Sequence, residues 1–491
     1  MSHIRYICLS DLHFGQGDSI LTCLNAPLSD VNVNSESPAL IALCKGLREL
    51  LRKDREESRG SEMKTTLILT GDILEIALTT MNEAAMGFRR FIEHLMPEHE
   101  ENLFDRILYV PGNHDHHMWE LARETQYVNY VRAQSTPGYL EKPWHDTPMF
   151  EKKDRLPLPE GYFIKNLLQC YDHLKDFEVS VAYPNLGLYN DTHQRCAIFH
   201  HGHFTEPLYL LMSELATMFF PKRTQPDEIG ELELENFAWI DFFWSTMGRS
   251  GEVGDMVENI YISLGVEKAR DKLLENLAKS LAEKFSEHLN PALPRKYIVR
   301  AMKKAMEKFF QKTADQIVSR ERTHTSAPLS SECRKGLNRY LNVPLRTQMK
   351  HELGLSPKDL TFVFGHTHKP YQGKFSFEEY PGLVSVYNMG GWVIEKRTPS
   401  PIHGAAAVLL DEDLNATSLR LYNEAENAGE YEVRVEEATD QTVPANPLTE
   451  HVGSLIEKTS GAWREFSRIT AEEVEKHREY LRYRVRKMKE I

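Results

Sequence analysis

Five short clusters of acidic and imidazole side chains constrain this chain more than any other feature, because each closes an apolar run. They are Asp11-Leu12-His13, Gly71-Asp72, Gly112-Asn113-His114-Asp115, His201-Gly202-His203 and Gly365-His366-Thr367-His368. The runs before them read as strands: Ile4–Leu9, Thr66–Thr70, Ile107–Val110, the start of CAIFHHGHF (196–204) and the start of LTFVFGHTH (360–368). Between the first three lie two stretches of helical spacing. Pro38–Glu57 carries Leu40, Leu43, Leu47, Leu50 and Leu51, and Glu83–Met96 carries Met86, Phe88, Phe91, Ile92 and Leu95. Short apolar strands alternating with helices predict right-handed crossovers and a buried parallel sheet, hence an α/β class. In such sheets, sites are built beyond the carboxyl ends of the strands. Glycine beside the clusters permits tight turns and close backbone approach.

The 491 residues could make about three domains, or one α/β core with long insertions. The pattern favours a core over 1–204 and 356–437, interrupted by an irregular insertion at about 116–195. Residues 205–355 read as a mostly helical insertion, with amphipathic spacing at Val266–His288 and Tyr297–Arg320. It leaves one cluster-bearing strand and returns at the next, so a cap over the site is expected. Further strands are expected at 384–395, in a hairpin over 405–423 turning at Asp411–Asn415, and at Tyr431–Glu436. Residues 438–450 read as a linker, and Ala471–Ile491 as a basic amphipathic helix with Val474, Leu481, Val485 and Met488 on one face.

Composition narrows the function classes. A net charge of −13 argues against a whole-surface binder of nucleic acid or anionic membrane. The longest apolar stretches, 208–220 and 237–244, are too short to span a bilayer, and each contains an acid. The six cysteines form no CxxC pair and suit reduced, buried thiols. With no signal-like start, a cytoplasmic location is expected. The aromatic set Phe219, Phe220, Phe237, Trp239, Phe242, Phe243 and Trp244 reads as the insertion's own core, or as a wall for a nucleobase, lipid chain or partner. The basic run 295–304 and the tail from Lys476 to Lys489 read as solvated faces, or as guides for an anionic substrate. Nucleic acid is not favoured, since no recognised binding module accompanies them. The insertion or the terminal helix could serve an oligomer.

The clusters are rich in oxygen and imidazole and contain no thiolate. That set suits manganese first, and also iron, zinc, cobalt or nickel, and not a cysteine-bound structural zinc. Two aspartates, an asparagine and four histidines exceed what one catalytic ion needs. Sharing one carboxylate, they could hold two divalent ions roughly 3.5–4 Å apart.

The ordered series DxH, GD, GNHD, HGH and GHTH resembles the calcineurin-like metallophosphoesterase superfamily, and YNMGGW (387–392) is similar to its usual Asn-x-Gly strand. The resemblance implies a four-layer α/β/β/α sandwich of two mixed sheets, with the strands after 380 forming part of the second. It assigns Asp11, His13 and His368 to one metal, Asn113, His201 and His366 to the other, and Asp72 as the bridge. His200 takes the opposite strand face, and His203 a polar supporting place. The implied activity is hydrolysis of a phosphoester or pyrophosphate by a hydroxide bridging the two ions. His114 would stabilise or protonate the leaving oxygen, and Asp115 would orient that imidazole. Asp72-Ile73-Leu74-Glu75 is similar to a stretch in UDP-diacylglucosamine pyrophosphatases, but the insertion here is far longer, so that substrate is not assigned. The competing readings are a nuclease of the same superfamily and a metal-binding scaffold without catalysis.

Overall fold

The structure is a computed structural model that describes residues 2–26, 30–58, 63–133, 145–151, 157–219, 222–246, 321–323, 327–439 and 446–490. Its strands are β1 (Tyr6–Leu9), β2 (Thr65–Thr70), β3 (Phe104–Val110), β4 (Glu178–Val181), β5 (Asn185–Asn190), β6 (Arg195–His200), β7 (Asp359–Phe364), β8 (Tyr371–Ser376), β9 (Leu383–Asn388), β10 (Gly404–Leu410), β11 (Ala416–Asn423) and β12 (Arg434–Glu436). They form two mixed sheets. One has seven strands in the order β12-β11-β10-β1-β2-β3-β4, and the other five in the order β5-β6-β7-β9-β8. β1 to β4 run parallel, as do β6, β7 and β9.

Alternation along the strands decides the layering, since neighbouring side chains point to opposite faces. Cys8, Ile68 and Leu108 meet Phe199, Val363 and Tyr387 between the sheets. Their neighbours Ile7, Leu67 and Ile107 face the helices Pro38–Glu57 and Met81–Leu95 through Leu43, Leu47, Phe88 and Phe91. Ile198, Phe362 and Val386 face the other way, onto Leu337, Tyr340 and Leu345 of the insertion. The layers therefore run helix, sheet, sheet, helix. The described insertion is the fourth layer, covering the outer face of the five-stranded sheet.

Local signals explain the helices. Pro38 opens its helix at the first turn, where its missing N–H costs nothing. Thr80 and Glu83 form a reciprocal capping box for Met81–Leu95. The insertion is helical over Leu211–Phe219, Ile229–Ala238, Ser331–Tyr340 and Arg346–Leu353, as expected. The expected helices Val266–His288 and Tyr297–Arg320, the basic run 295–304 and Phe220 lie outside the described residues. Of the aromatic set's described side chains, Trp244 is buried in the insertion's core and Trp239, stacked on Phe243 at 4.6 Å, packs against it, whereas Phe242 is 58% exposed.

Several expectations need correction. The stretch 116–195 is not an irregular insertion. It contains helices His117–Ala133 and Tyr162–Leu168, and β4 and β5 form one edge of each sheet. Of the described strands after 380, only β9 joins the second sheet; β10 to β12 extend the first, through an antiparallel β1–β10 pair. Within the expected linker, Asn446 caps a helix over Pro447–Lys458 by accepting from the Thr449 N–H. The last helix starts at Ser460, well before Ala471. Its Trp463, Phe466 and Val474 are core residues, and Trp463 lies against Gly46 of helix Pro38–Glu57, so this face is already covered within the chain. Among the described residues, no helix is long and apolar enough to cross a membrane.

Candidate metal centre

The parallel strands carry all five clusters to one edge, and backbone hydrogen bonds brace the loops against each other. The Asp11 and His13 N–H groups donate to the Gly71 and Asp72 carbonyls at 3.0 and 2.9 Å, and the Gly365 N–H donates to the His201 carbonyl at 2.8 Å. Asp11, His13, Asp72, Asn113, His201, His366 and His368 are all buried, at 1% exposure or less.

Strain is concentrated here. Asp11, His13, Asp72, His366 and His368 all have φ between 46° and 70°, a left-handed region that side-chain-bearing residues rarely adopt. Such conformations cost of order 1–3 kcal/mol each and persist where the surroundings over-determine them. Gly71 and Gly112 are required by close approach. Gly71 has φ +72°, and a Cβ there would run into the His201 ring; a Cβ at Gly112 would lie 2.7 Å from the Asp72 nitrogen.

Each of the four imidazoles turns one nitrogen inward and sets the other against an oxygen. His13 Nε2 faces in, 3.2 Å from His368 Nε2 and 3.7 Å from Asp72 Oδ2, while its Nδ1 lies 2.7 Å from Glu75 Oε2. His368 Nε2 is 3.3 Å from Asp11 Oδ1, and its Nδ1 is 2.9 Å from Glu395 Oε1. His201 Nε2 sits 3.2 Å from Asp72 Oδ2 and 3.1 Å from Asn113 Oδ1, with Nδ1 at 3.3 Å from the Thr70 carbonyl. His366 Nδ1 faces His201 Nε2 at 3.2 Å, and its Nε2 faces Glu206 Oε1 at 3.0 Å. An outer oxygen that accepts a hydrogen bond from one ring nitrogen keeps the proton there and leaves a lone pair on the other, as Glu75 can do for His13. Inward nitrogens face each other at 3.2 Å in two places, His13–His368 and His201–His366. These buried groups can hold metal ions. Asp11, His13 and His368 form one ligand-competent triad, and Asp72, His201 and His366 another.

Asp72, in the second triad, also faces the first, with Oδ2 3.7 Å from His13 Nε2. Burial works against its charge, yet the His201 and His114 imidazoles hold it well below the usual carboxylate range. Asp11 is likewise opposed by burial but held at about 2 by His368 and His201.

His114 and Asp115 correct the expected pairing. The carboxylate at His114 Nδ1 is Glu75, at 2.8 Å, not Asp115. Asp115 instead accepts from the N–H groups of Gly112, Ile73 and Asp72 at 2.6, 2.8 and 3.1 Å, and from the Tyr109 hydroxyl. It ties the GD loop to the GNHD loop. Burial, with Asp72 nearby, pushes it up to about 6. Glu75 is the residue the expectations missed. Its two oxygens hold His13 and His114, and despite burial the His114 charge and both imidazole contacts keep it at about 2. The GDILE spelling was its only signal. Arg322 was also missed: its Nη2 donates to Asp72 Oδ2 at 3.0 Å and its Nε to the His366 carbonyl at 2.9 Å. His200 does take the opposite strand face, against Tyr340 at 4.6 Å. His203 is buried beside His201 and meets the Tyr183 hydroxyl at 3.3 Å.

A second buried network ties the insertion to this edge. His116 lies 2.7 Å from Glu233 and 3.2 Å from Asp241, and the Tyr183 hydroxyl donates to Glu233 at 3.0 Å. Burial opposes the imidazolium, but the Glu233 charge and the Asp241 contact raise His116 from 6.5 to about 9. Its pairing therefore contributes fully below pH 6.5 and is lost as pH rises through about 9. In urea unfolding, wild type should exceed His116→Gln by roughly 1–3 kcal/mol at about pH 6. That gap should shrink toward about pH 10; an unchanged gap would contradict a charged His116.

No protein-family model matches the chain, and no curated protein matches it either.

Proposed function

We propose that this chain is a binuclear metal-dependent phosphoester hydrolase of the calcineurin-like metallophosphoesterase type. One observation carries the reading: four buried imidazoles, each with one nitrogen near an outer oxygen, turn their other nitrogens inward beside the buried carboxylates Asp11 and Asp72. Asp11, His13 and His368 would hold one divalent ion, Asn113, His201 and His366 the second, and Asp72 both. Manganese suits this mixed oxygen–nitrogen set. Bound there, two such ions would lower the pKa of a water and polarise the phosphoryl oxygens.

The chain's own residues do the rest. Glu75 holds His114 Nδ1 at 2.8 Å, fixing the ring's tautomer and orientation. The ring's other nitrogen then gives a proton to the leaving oxygen, or stabilises its charge. Asp115 holds the loop carrying His114 against the loop carrying Asp72. Burial of the whole centre excludes competing water and strengthens each electrostatic contact.

The test is hydrolysis of aryl phosphomonoesters and phosphodiesters with manganese, beside labelled single- and double-stranded DNA and RNA. Manganese-stimulated release of the aryl alcohol is expected. Cleavage confined to nucleic acid would favour the nuclease alternative. Inactivity with every divalent metal, in protein shown to hold two ions, would leave only the inactive scaffold.

A further inference from the structure

We propose that Arg322 is a substrate ligand, a guanidinium that the returning insertion delivers to the metal centre to bind a phosphoryl oxygen. This rests on the reading of the centre as a phosphoester site.

Arg322 is held from both sides in the chain. Glu321, just before it, is buried and accepts from Lys369 Nζ and the Ser330 N–H, both at 2.8 Å. Lys369 directly follows the candidate ligand His368 and is itself fully buried. The Arg322 carbonyl meets His403 Nε2 at 2.5 Å. A buried Lys–Glu pair is weak evidence of stabilisation, because desolvation offsets its attraction; its best use is to fix a geometry. Here the geometry fixed is that of the next side chain. The Nε of Arg322 is pinned to the His366 carbonyl, and its Nη2 reaches Asp72 Oδ2, the oxygen nearest His201 and His13. A planar guanidinium offers five N–H donors in a fork that fits phosphoryl oxygens, and it stays charged when buried. Nη1 lies 4.0 Å from Glu395 Oε1, which also faces His368 at 2.9 Å. With Asp72 committed to cations and Glu395 to His368, the Nη edge is the donor that an anionic substrate would meet.

The alternative is that Arg322 only balances the carboxylates and competes with metal. The two are separated in the full-length protein by measuring manganese content and the affinity for inorganic phosphate in wild type, Arg322→Gln and Arg322→Lys. Both variants should keep two manganese ions per chain. Phosphate should bind Arg322→Gln roughly 10–100-fold more weakly, the worth of a charge-assisted hydrogen bond, with Arg322→Lys in between. Phosphate affinity within about threefold of wild type in both variants would overturn the proposal. So would tighter manganese binding with unchanged phosphate affinity, or loss of metal from both variants. A wild-type chain that takes up no manganese would overturn the reading of the centre, and this proposal with it.

Discussion

Asp72→Asn should lose metal from both halves of the centre and lower hydrolysis by about 10³-fold or more. The substitution keeps the shape of the side chain and removes only its charge. Asp72 Oδ2 is 3.2 Å from His201 Nε2 and 3.7 Å from His13 Nε2, so one oxygen faces a histidine of each triad. Its Oδ1 accepts from the His114 N–H at 2.8 Å, which the asparagine oxygen can still do. The loop should therefore hold while the centre empties. Metal analysis of the purified variant checks this. An Asp72→Asn protein that retains two ions and most of its turnover would show that the carboxylate is not shared.

His114→Ala and Glu75→Gln should both cost turnover, but only the second should weaken metal binding. His114 is 3% exposed, its ring 5.0 Å from that of His13, and it belongs to no expected ligand set. Its loss removes a proton donor, worth typically 10²–10⁴-fold, with both ions kept. Glu75 touches both His114 and the candidate ligand His13. Glu75→Gln should thus cost turnover and also about 10–100-fold in metal affinity, the usual penalty for losing an outer partner of a ligating histidine. Kinetics beside manganese titration of each variant separates the two effects. Metal loss from His114→Ala, or full metal affinity in Glu75→Gln, would reverse the assigned roles.

Much of this was legible because the informative residues are local. Each cluster follows its strand directly, and the expected helix at Pro38–Glu57 has those bounds in the structure. What was missed depends on distant neighbours or short elements. Glu75 meets His114 only after β2 and β3 align in parallel, 39 residues apart in sequence. Arg322 reaches Asp72 across 250 residues and an insertion. β4 spans only four residues, and β8, YQGKFS, is a half-exposed edge strand with no clear alternation. The Asn446-Pro447 start of a helix also satisfies the pattern of a polar linker, and only packing of Leu448, Val452 and Leu455 settles it. The left-handed backbone at five ligand candidates has no spelling in the sequence, since aspartate and histidine adopt it under tertiary constraint.

The central claim is that two buried carboxylates, one of them shared, and four buried imidazoles gather a pair of cations. It is tested most directly by titrating the full chain with manganese and following electron paramagnetic resonance. The account predicts two ions per chain with a spin-coupled spectrum that disappears in Asp72→Asn. A single uncoupled ion, or no specific uptake, would contradict it.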